Sequence, residues 1–386
     1  MLGFYMGKRV LVVVGTRPEA IKMAPVVKAL RELPHLEVLL CATGQHGDLA
    51  DQMLEFFELS PDYDLDLMRE KQSLTHTTSS VLVGLEPILS GAAPSVVLVH
   101  GDTATTAAAS LAAYFQGIPV AHVEAGLRTH NLFSPWPEEG NRRVVDAVSS
   151  LHFAPTERAK VNLIAEGTSP ASVTVTGNTV VDALLFTMER MRSDAELAQR
   201  LDAQFAVLDQ FAKVLLVTGH RRENFGDGLD QICRALARVA AADADTCIVY
   251  PLHPNPNVRE PVSNRLGGIP NIRLIDPVGY PEFVYLMSRS FLILTDSGGV
   301  QEEAPTLGKP VLVMRDTTER PEAVDAGVAA LVGADEVRIF EAVQALVNDP
   351  ALYSRMAGTR NPFGDGLASA RIAGAIDDFT GGSHRG

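Results

Sequence analysis

Short apolar runs alternate with helix-forming segments along nearly the whole chain. The runs contain many β-branched residues and are apolar at almost every position, which is typical of strands buried on both faces. They predict strands at 10–14, 38–41, 96–99, 118–123, 214–217, 247–250, 291–294 and 310–314. Between them, the spacing of apolar residues predicts helices that include 104–115, 229–240 and 336–346.

This alternation occurs twice, and each set predicts one doubly wound parallel sheet with helices on both faces. The two sets are separated by 182–211, which contains no strand-like run. We therefore predict an α/β protein of two Rossmann-like domains facing a cleft, with 1–185 in the first and 186–366 in the second. A last helical pattern follows a Gly/Pro-rich break, and we expect 367–386 to cross back and pack on the first domain.

Composition and charge exclude several classes of protein. Hydrophobic residues occupy 46% of the 386 positions, which is ordinary for a folded chain. The 33 basic and 47 acidic residues give a net charge of -14, so nucleic acid is not an expected partner. The three cysteines form no C-x-x-C pair, so neither a disulfide framework nor a zinc site is expected. No apolar run approaches the ~20 residues of a membrane span and no leader-like segment is found, so we expect a cytoplasmic chain without membrane association.

Charged side chains follow several predicted strands of the first domain. Ligands of open parallel sheets bind at the carboxyl ends of strands, which makes these residues candidates for a functional site. Arg17 follows the first strand, Asp102 and Glu124 follow two later strands that we expect to be neighbours, and Glu138 opens a predicted helix. Structural roles are the alternatives: Arg17 as a surface residue, and Asp102 and Glu138 as carboxylates that stabilise helix starts.

Two common kinds of cofactor site do not fit these strand ends. A dinucleotide site would need G-x-G-x-x-G after the first strand, where only Gly15 is present. His100 and His122 precede Asp102 and Glu124 by two residues, but no clustered His/Cys spacing accompanies them, so no metal is expected. Residues two apart on a strand share a face, and we expect His122 and Glu124 to orient one another.

The second domain carries residues suited to a diphosphate. His220 and two following arginines lie at a strand end, and such a group suits phosphate oxygens. A Ser-Gly-Gly turn at 297–299 follows another strand, where small residues let backbone N–H groups approach an anion, although a purely structural turn is the alternative. Glu303 can accept hydrogen bonds from a ribose diol, and Arg320 can close over the same phosphates. With carboxylates only on the first domain, the pattern predicts a nucleotide-sugar enzyme whose ligand bridges both domains.

Seven motifs occur in order along the chain: GTRPEAIKMAP (15–25), HGDT (100–103), HVEAGLRT (122–129), SPWPEE (134–139), TGHRREN (218–224), LTDSGGVQEEAP (294–305) and RDTTERPEA (315–323). Together they closely resemble the bacterial non-hydrolysing UDP-N-acetylglucosamine 2-epimerases, from about Lys8 to about Arg371. The resemblance implies a glycosyltransferase-B-type fold and a homodimer. It also implies interconversion of UDP-N-acetylglucosamine (UDP-GlcNAc) and UDP-N-acetylmannosamine (UDP-ManNAc) without an added cofactor, for surface polysaccharide synthesis.

The resemblance also implies individual site residues. The family's catalytic carboxylates fall on Asp102, Glu124 and Glu138. Its substrate-binding positions fall on Arg17, Lys22, Asp102, Glu124, His220, Phe283, Ser297, Gly298, Gly299, Glu303 and Arg320. A second, activating UDP-GlcNAc site found in many members falls on Gln45, Gln72, Glu138, Arg221 and His253.

Three positions depart from the family pattern. Val278 stands where some members have a Gln near the uracil, so that contact must come from the backbone or be absent. Asp48 and Lys71 stand at the activating site where others have Gln and Arg. We therefore expect weaker activation by UDP-GlcNAc than in the family.

The chemistry of the implied reaction favours elimination of UDP. C2 of an N-acetylhexosamine has no adjacent carbonyl, so a carboxylate with a pKa of about 4 is too weak a base to remove its proton directly. Departure of UDP from C1 acidifies that proton, and in the resembling family it gives 2-acetamidoglucal, to which UDP adds again. A glycosyltransferase, a hydrolysing epimerase that releases free N-acetylmannosamine, and a non-catalytic nucleotide-sugar sensor remain the alternatives.

Overall fold

The computed structural model describes residues 8–44, 48–67, 72–219 and 221–381. The chain divides into two units, Met1–Ala183 with Phe363–Gly386, and Leu184–Pro362. The strands are β1 (Lys8–Val14), β2 (Leu36–Ala42), β3 (Tyr63–Asp64), β4 (Val96–His100), β5 (Val120–Val123), β6 (Leu151–Ala154), β7 (Val173–Val175), β8 (Lys213–Thr218), β9 (Thr246–Pro251), β10 (Ile272–Ile275), β11 (Leu292–Thr295), β12 (Val311–Val313) and β13 (Ala329–Leu331). The helices are α1 (Arg17–Arg31), α2 (Asp48–Phe56), α3 (Leu74–Ala92), α4 (Ala104–Phe115), α5 (Glu138–Val148), α6 (Glu157–Ala165), α7 (Thr179–Ser193), α8 (Ala195–Gln204), α9 (Asp227–Ala242), α10 (Pro256–Leu266), α11 (Tyr280–Arg289), α12 (Gly298–Glu303), α13 (Pro321–Asp325), α14 (Glu336–Asn348), α15 (Pro350–Gly358) and α16 (Ala368–Thr380).

Each unit is built on one parallel sheet. The first sheet has the order β3-β2-β1-β4-β5-β6-β7, and the second has the order β10-β9-β8-β11-β12-β13. Strand pairing is parallel in both sheets. Numbered within its own unit, each sheet begins with the Rossmann strand order 3-2-1-4-5. The predicted fold of two doubly wound parallel sheets is confirmed.

Every strand predicted from the sequence is present, and α4 begins and ends at the predicted residues. The strands that the pattern missed are β3, β6, β7, β10 and β13, which have two to four residues. Four of them lie at the edges of the sheets and β6 lies next to an edge. Edge strands are short and partly exposed, so they lack the continuous apolar run that identifies a central strand.

The C-terminal helix α16 lies in the first unit, where it packs against α1. Ile372 and Ile376 form its fully buried face. The Asp182 carboxylate accepts hydrogen bonds from the backbone N–H groups of Ala368 at 3.3 Å and Ser369 at 2.7 Å, which satisfies two donors at the start of α16. Asp182 lies on α7. The boundary between the two units falls within this helix, between Ala183 and Leu184, and the sequence pattern predicted it near residue 185.

Among the described residues, no helix has both the length and the apolar character required to cross a bilayer.

Candidate active site

The turn after β1 is fixed by the start of α1. Thr16 caps the helix, and the Glu19 carboxylate accepts hydrogen bonds from the backbone N–H groups of Thr16 at 2.9 Å and Gly15 at 2.6 Å. Glu19 also accepts a hydrogen bond from the Thr103 hydroxyl at 2.6 Å, which joins this turn to the start of α4. Arg17 is the first residue of α1 and is half-buried. The capping network therefore places Arg17 at the carboxyl end of β1, as predicted.

Glu124 is held by neighbours from three other segments of the first unit. Lys22 on α1 forms an ion pair with Glu124 Oε2. Asn178 Nδ2 donates a hydrogen bond to the same oxygen at 2.8 Å, and His100 Nε2 lies 3.7 Å from it. The side chains of Lys22 and Glu124 are only 13% and 10% exposed. Charge-assisted hydrogen bonds of this kind hold an ionised carboxylate in one position.

His122 does not contact Glu124, so the expectation that these residues orient one another is wrong. The His122 ring nitrogens lie 2.6 Å from Asp146 Oδ1 and 2.8 Å from the Gly101 carbonyl oxygen. The reason lies in the backbone: β5 ends at Val123, and Glu124 has a left-handed φ of 68°. The two-residue alternation of side chains therefore stops before Glu124.

Asp102 is bound to α5. Its carboxylate forms an ion pair with Arg142, and its carbonyl oxygen accepts a hydrogen bond from Asn141 Nδ2 at 2.9 Å. The helix that follows is capped by Thr103, whose hydroxyl accepts a hydrogen bond from the Thr106 N–H at 3.1 Å. The alternative interpretation of Asp102 as the helix cap is therefore wrong.

Glu138 is the first residue of α5, a position that agrees with both a helix-start role and a catalytic one. Its Oε2 atom is buried and has no hydrogen-bond partner in the part of the chain that the structure describes. The next residue, Glu139, is fully buried and pairs with Arg142 and Arg143, at 3.1 Å in both cases. Glu139 therefore serves the local ion-pair network, whereas Glu138 retains an oxygen for a further partner.

The three predicted catalytic carboxylates are brought to one end of the first sheet. A side chain at Gly101 would lie 3.9 Å from Glu124 Oε1, so the turn that carries Asp102 borders the Glu124 carboxylate. Arg142 joins Asp102 to α5, the helix that begins with Glu138. Asp102 and Glu124 are thus held by cations on different helices, and the helix that holds Asp102 begins with Glu138.

The predicted phosphate-binding residues of the second unit meet at the start of α12. Ser297 precedes this helix, and Gly298 and Gly299 are its first two residues. A side chain at Gly298 would lie 3.8 Å from the guanidinium carbon of Arg320, and one at Gly299 would lie 4.0 Å from Glu303 Oε2. The glycines therefore leave room beside a cation and a carboxylate.

Neighbouring side chains fix the orientation of Arg320 and Glu303. Arg320 Nε donates to Glu302, which is 1% exposed, in an ion pair. Glu303 accepts a hydrogen bond from the Tyr280 hydroxyl at 3.0 Å. Phe283 lies less than one turn further along α11 and is half-buried.

His220 lies outside the described residues, but the backbone on both sides of it is anchored. The Tyr250 hydroxyl donates to the Gly219 carbonyl at 2.9 Å, and the Arg221 N–H donates to Asp296 Oδ2 at 2.8 Å. Burial raises the pKa of Tyr250, so its hydroxyl stays a donor at physiological pH. Gly219 and Arg221 are therefore attached to β9 and to the residue that follows β11.

Two of the residues predicted for an activating site, Gln72 and His253, have local hydrogen-bond partners. Gln72 donates to the Leu67 carbonyl and accepts from the Thr77 hydroxyl at 3.3 Å. His253 is exposed, and its Nδ1 accepts from the Asn255 N–H at 3.1 Å. Activation stays a prediction. The positions outside the described residues or side chains are Gln45, Lys71 and the side chain of Asp48.

Val278 lines an apolar cavity of about 240 Å³ within the second unit. Phe205, Val249 and Ile275 line the same cavity. An apolar residue at this position therefore has apolar neighbours, which agrees with the replacement of the Gln found in some family members.

Two residues of the network escaped the sequence analysis. Asn178 follows β7, a three-residue edge strand that the apolar pattern missed, so the strand-end argument was never applied to it. Arg142 lies three residues after Glu139 on α5. This spacing predicts an ion pair between Arg142 and Glu139 within the helix, but it does not predict the ion pair of Arg142 with Asp102. In the described ranges, no three or more His, Cys, Asp or Glu side chains are grouped so as to hold a metal ion.

Comparison with known proteins agrees with the family that the sequence motifs predicted. A family model described as UDP-N-acetylglucosamine 2-epimerase matches residues 28–377. The chain belongs to the UDP-N-acetylglucosamine 2-epimerase family. The Escherichia coli K12 enzyme of that name is 54% identical over 368 residues, which are 95% of this chain and 98% of that protein. A probable member from Ralstonia nicotianae is 54% identical over 372 residues, or 96% and 99% of the two chains.

A solved structure is also similar over almost the whole chain. The UDP-GlcNAc 2-epimerase from Neisseria meningitidis, in a crystal structure bound to UDP-GlcNAc, is 49% identical with a TM-score of 0.89. The match covers 96% of this chain and all of that one. Family membership therefore extends over both units, including the N-terminal segment with Arg17 and Lys22 that precedes the family-model match.

We expect Glu139 to contribute stability that depends on pH. Burial alone would raise the pKa of Glu139, but hydrogen bonding by the Thr129 N–H and the charges of Arg142 and Arg143 lower it below its ordinary value. A lowered pKa in the folded state stabilises the protein above the ordinary value of 4.5, and this contribution is lost as the pH falls through the folded-state pKa. Glu139→Gln should therefore lower the free energy of unfolding at pH 7 by about 2 kcal/mol, measured by urea unfolding.

The difference from wild type should narrow as the pH is lowered below 4.5. Glu86→Gln, at an exposed position on α3, is the matched control and should leave stability nearly unchanged at both pH values. A loss for Glu139→Gln that is the same at pH 7 and in acid would show that its charge does not contribute.

Proposed function

We propose that this protein interconverts UDP-GlcNAc and UDP-ManNAc by eliminating UDP from C1 and adding it back, without hydrolysis of the intermediate. The observation that carries the proposal is the group of three carboxylates at the end of the first sheet of a family member whose relative from N. meningitidis binds UDP-GlcNAc. The product would supply N-acetylmannosamine units for surface polysaccharides.

Elimination explains why a carboxylate suffices as the base. The C2 proton becomes acidic only as the C1–oxygen bond breaks and C1 gains positive character. A carboxylate then takes the C2 proton, the pair of electrons forms the C1=C2 double bond of 2-acetamidoglucal, and UDP carries away the electrons of the broken bond. Return of a proton to the opposite face of C2 with re-addition of UDP inverts that carbon.

The first unit supplies groups suited to proton transfer. Lys22 and Asn178 hold the Glu124 carboxylate, and Arg142 holds that of Asp102, so both are oriented before substrate arrives. Glu138 keeps a buried oxygen that no described residue bonds. We assign acid–base roles to these three carboxylates without dividing the two steps among them.

The second unit supplies groups suited to the leaving diphosphate. Arg320 lies beside Gly298, and its Nε bond to Glu302 keeps the other edge of the guanidinium turned toward the glycine, 3.9 Å from the position of a side chain there. A guanidinium fixed in this way stabilises charge on a phosphate oxygen without reorganising. Gly219 and Arg221 are anchored by Tyr250 and Asp296, and β8 pairs with β11; we propose that His220, between these two anchored residues in the sequence, also binds the diphosphate.

The purified protein should convert UDP-GlcNAc to a mixture with UDP-ManNAc when no nicotinamide, metal or acceptor is added. Run in heavy water, the reaction should place deuterium at C2 of the product, because elimination and re-addition exchange that proton with solvent. Proton NMR of the incubated nucleotide sugar measures both the conversion and the exchange.

Each alternative gives a different spectrum. Free N-acetylmannosamine would identify a hydrolysing enzyme, and product without deuterium at C2 would rule out elimination. Binding of UDP-GlcNAc without any conversion would identify a sensor.

Substitution of the carboxylates should separate binding from chemistry. Asp102→Asn, Glu124→Gln and Glu138→Gln keep size but remove the base, so each should bind UDP in calorimetry yet lose about 10²–10⁴-fold in the rate of C2 exchange. Glu157→Gln, at an exposed position on α6, is the control and should exchange at the wild-type rate. A near-normal rate in any one carboxylate variant would remove that residue from the catalytic set.

We also propose that the protein is a homodimer, as the family resemblance implies. Helices α3, α4 and α5 pack against one another and expose large apolar side chains. Val83 on α3 is 69% exposed, Phe115 at the end of α4 is 71% exposed, and Val144 on α5 is 41% exposed. An apolar face of this kind is typical of a surface covered by a partner, and a second copy of the chain is the partner that we propose.

Light scattering should give twice the mass of one chain for the wild-type protein. Val83→Glu combined with Phe115→Glu should give the mass of one chain, because a buried unpaired carboxylate opposes association. Val161→Glu replaces an equally exposed valine on α6 and should remain dimeric. A wild-type protein with the mass of one chain would contradict the proposal.

A further inference from the structure

His122 is fully buried on β5 and bridges two segments of the candidate active site. Its Nδ1 lies 2.6 Å from Asp146 Oδ1, on α5. Its Nε2 lies 2.8 Å from the carbonyl oxygen of Gly101, the residue before Asp102. Both bonds are within ordinary hydrogen-bond distance, so one imidazole connects α5 to the turn that carries a predicted catalytic carboxylate.

The Asp146 carboxylate holds the imidazole in this orientation. Its Oδ1 faces His122 Nδ1, and its Oδ2 accepts from Arg128 at 2.7 Å. Burial alone would raise the pKa of Asp146, but His122 and Arg128 lower it below its ordinary value. A carbonyl oxygen only accepts, so His122 Nε2 donates to the Gly101 carbonyl.

The two peptide groups on either side of the Gly101 α-carbon are both held by β5. The Gly101 N–H donates to the Val123 carbonyl at 3.0 Å, and the Gly101 carbonyl accepts from His122, the residue before Val123 on the same strand. Gly101 has a φ of 71°, so the turn depends on these bonds as well as on glycine. The first residue after β5 is Glu124, whose carboxylate borders this same turn.

We propose that His122, held by Asp146, is a positioning residue that sets the placement of Asp102 relative to Glu124. This inference rests on the proposed function, because it assigns His122 a role in the same proton transfer. His122 touches neither carboxylate and acts through the Gly101 carbonyl. Misplacement of a reacting group by about 1 Å can cost about 10²-fold in rate, which is the loss expected when this bond is removed.

The neighbouring strand offers a matched control. His152 on β6 is aligned with His122 in the sheet and is 2% exposed. Its Nε2 donates to the backbone carbonyl of Asp146 at 2.9 Å, and within the described part of the chain it has no hydrogen bond to Gly101. His152→Gln therefore removes a buried histidine of the same region without loosening the turn that carries Asp102.

The test compares His122→Gln with His152→Gln in kinetics, in UDP binding and in thermal unfolding. His122→Gln should lose about 10²-fold in kcat, while its UDP affinity and its KM stay near wild type. His152→Gln should keep the wild-type kcat, even if its unfolding temperature falls as far as that of His122→Gln. Combining His122→Gln with Asp102→Asn should slow C2 exchange no further than Asp102→Asn alone, because residues that act as one unit are not additive. A wild-type kcat for His122→Gln, an equal kcat loss in both histidine variants, or losses that multiply in the double variant would each overturn the proposal.

A further measurement needs no variant and does not depend on enzymatic activity. In wild-type protein with ¹⁵N-labelled histidine at neutral pH, NMR should show a ring whose Nε2 carries a proton in slow exchange with solvent. Absence of such a ring would overturn the inference even if the variants failed to fold. If the wild-type protein formed no UDP-ManNAc at all, the proposed function would fail. The NMR measurement would still test the hydrogen bonds of His122.

Discussion

The ion pair between Lys22 and Glu124 joins the first helix of the chain to the turn after β5. Both side chains are largely buried, and a buried carboxylate is stable only when a cation and hydrogen-bond donors replace the water it has lost. Lys22 can reach Glu124 because the capped turn at Thr16 sets where α1 begins. Glu124 can reach Lys22 because its left-handed backbone directs it away from the strand. The same requirement for partners explains the bond of Arg142 to Asp102 and that of Arg128 to Asp146.

The strand order makes these pairs geometrically possible. In the first sheet β1 lies beside β4 and β4 lies beside β5, so the turns that follow these three strands lie at one edge. In the second sheet β8 lies beside β11, so the residue that follows β8, Gly219, and the glycines at the start of α12 lie at one edge. Each sheet reverses its winding direction between its first and fourth strands, the place where open α/β sheets bind ligands. One topology thus presents carboxylates in the first unit and glycines with an arginine in the second.

The sequence was sufficient for the central strands and for the residues that follow them, because a strand buried on both faces leaves a continuous apolar run. It was insufficient for the short edge strands, and the omission of β7 concealed Asn178. Strand alternation wrongly paired His122 with Glu124, because a single left-handed residue cancels the two-residue period. Partners such as Asp146 and Arg142 lie 24 and 40 residues from the side chains they bond, and no local pattern encodes such distances.

The net charge of -14 would oppose the approach of a nucleotide diphosphate if charge acted as an average over the molecule. The structure shows why the average is a poor guide. The buried carboxylates Asp146 and Glu302 are each paired with an arginine, so the negative charge nearest the predicted site residues is largely neutralised before any ligand binds. What remains at these positions is a set of oriented groups: backbone N–H groups, the edge of Arg320, and carboxylates with fixed partners. Elimination moves charge from C1 to a phosphate oxygen in one step, and groups already oriented stabilise that movement without first having to turn. A network of paired charges held in fixed positions is therefore also the arrangement that the proposed elimination requires.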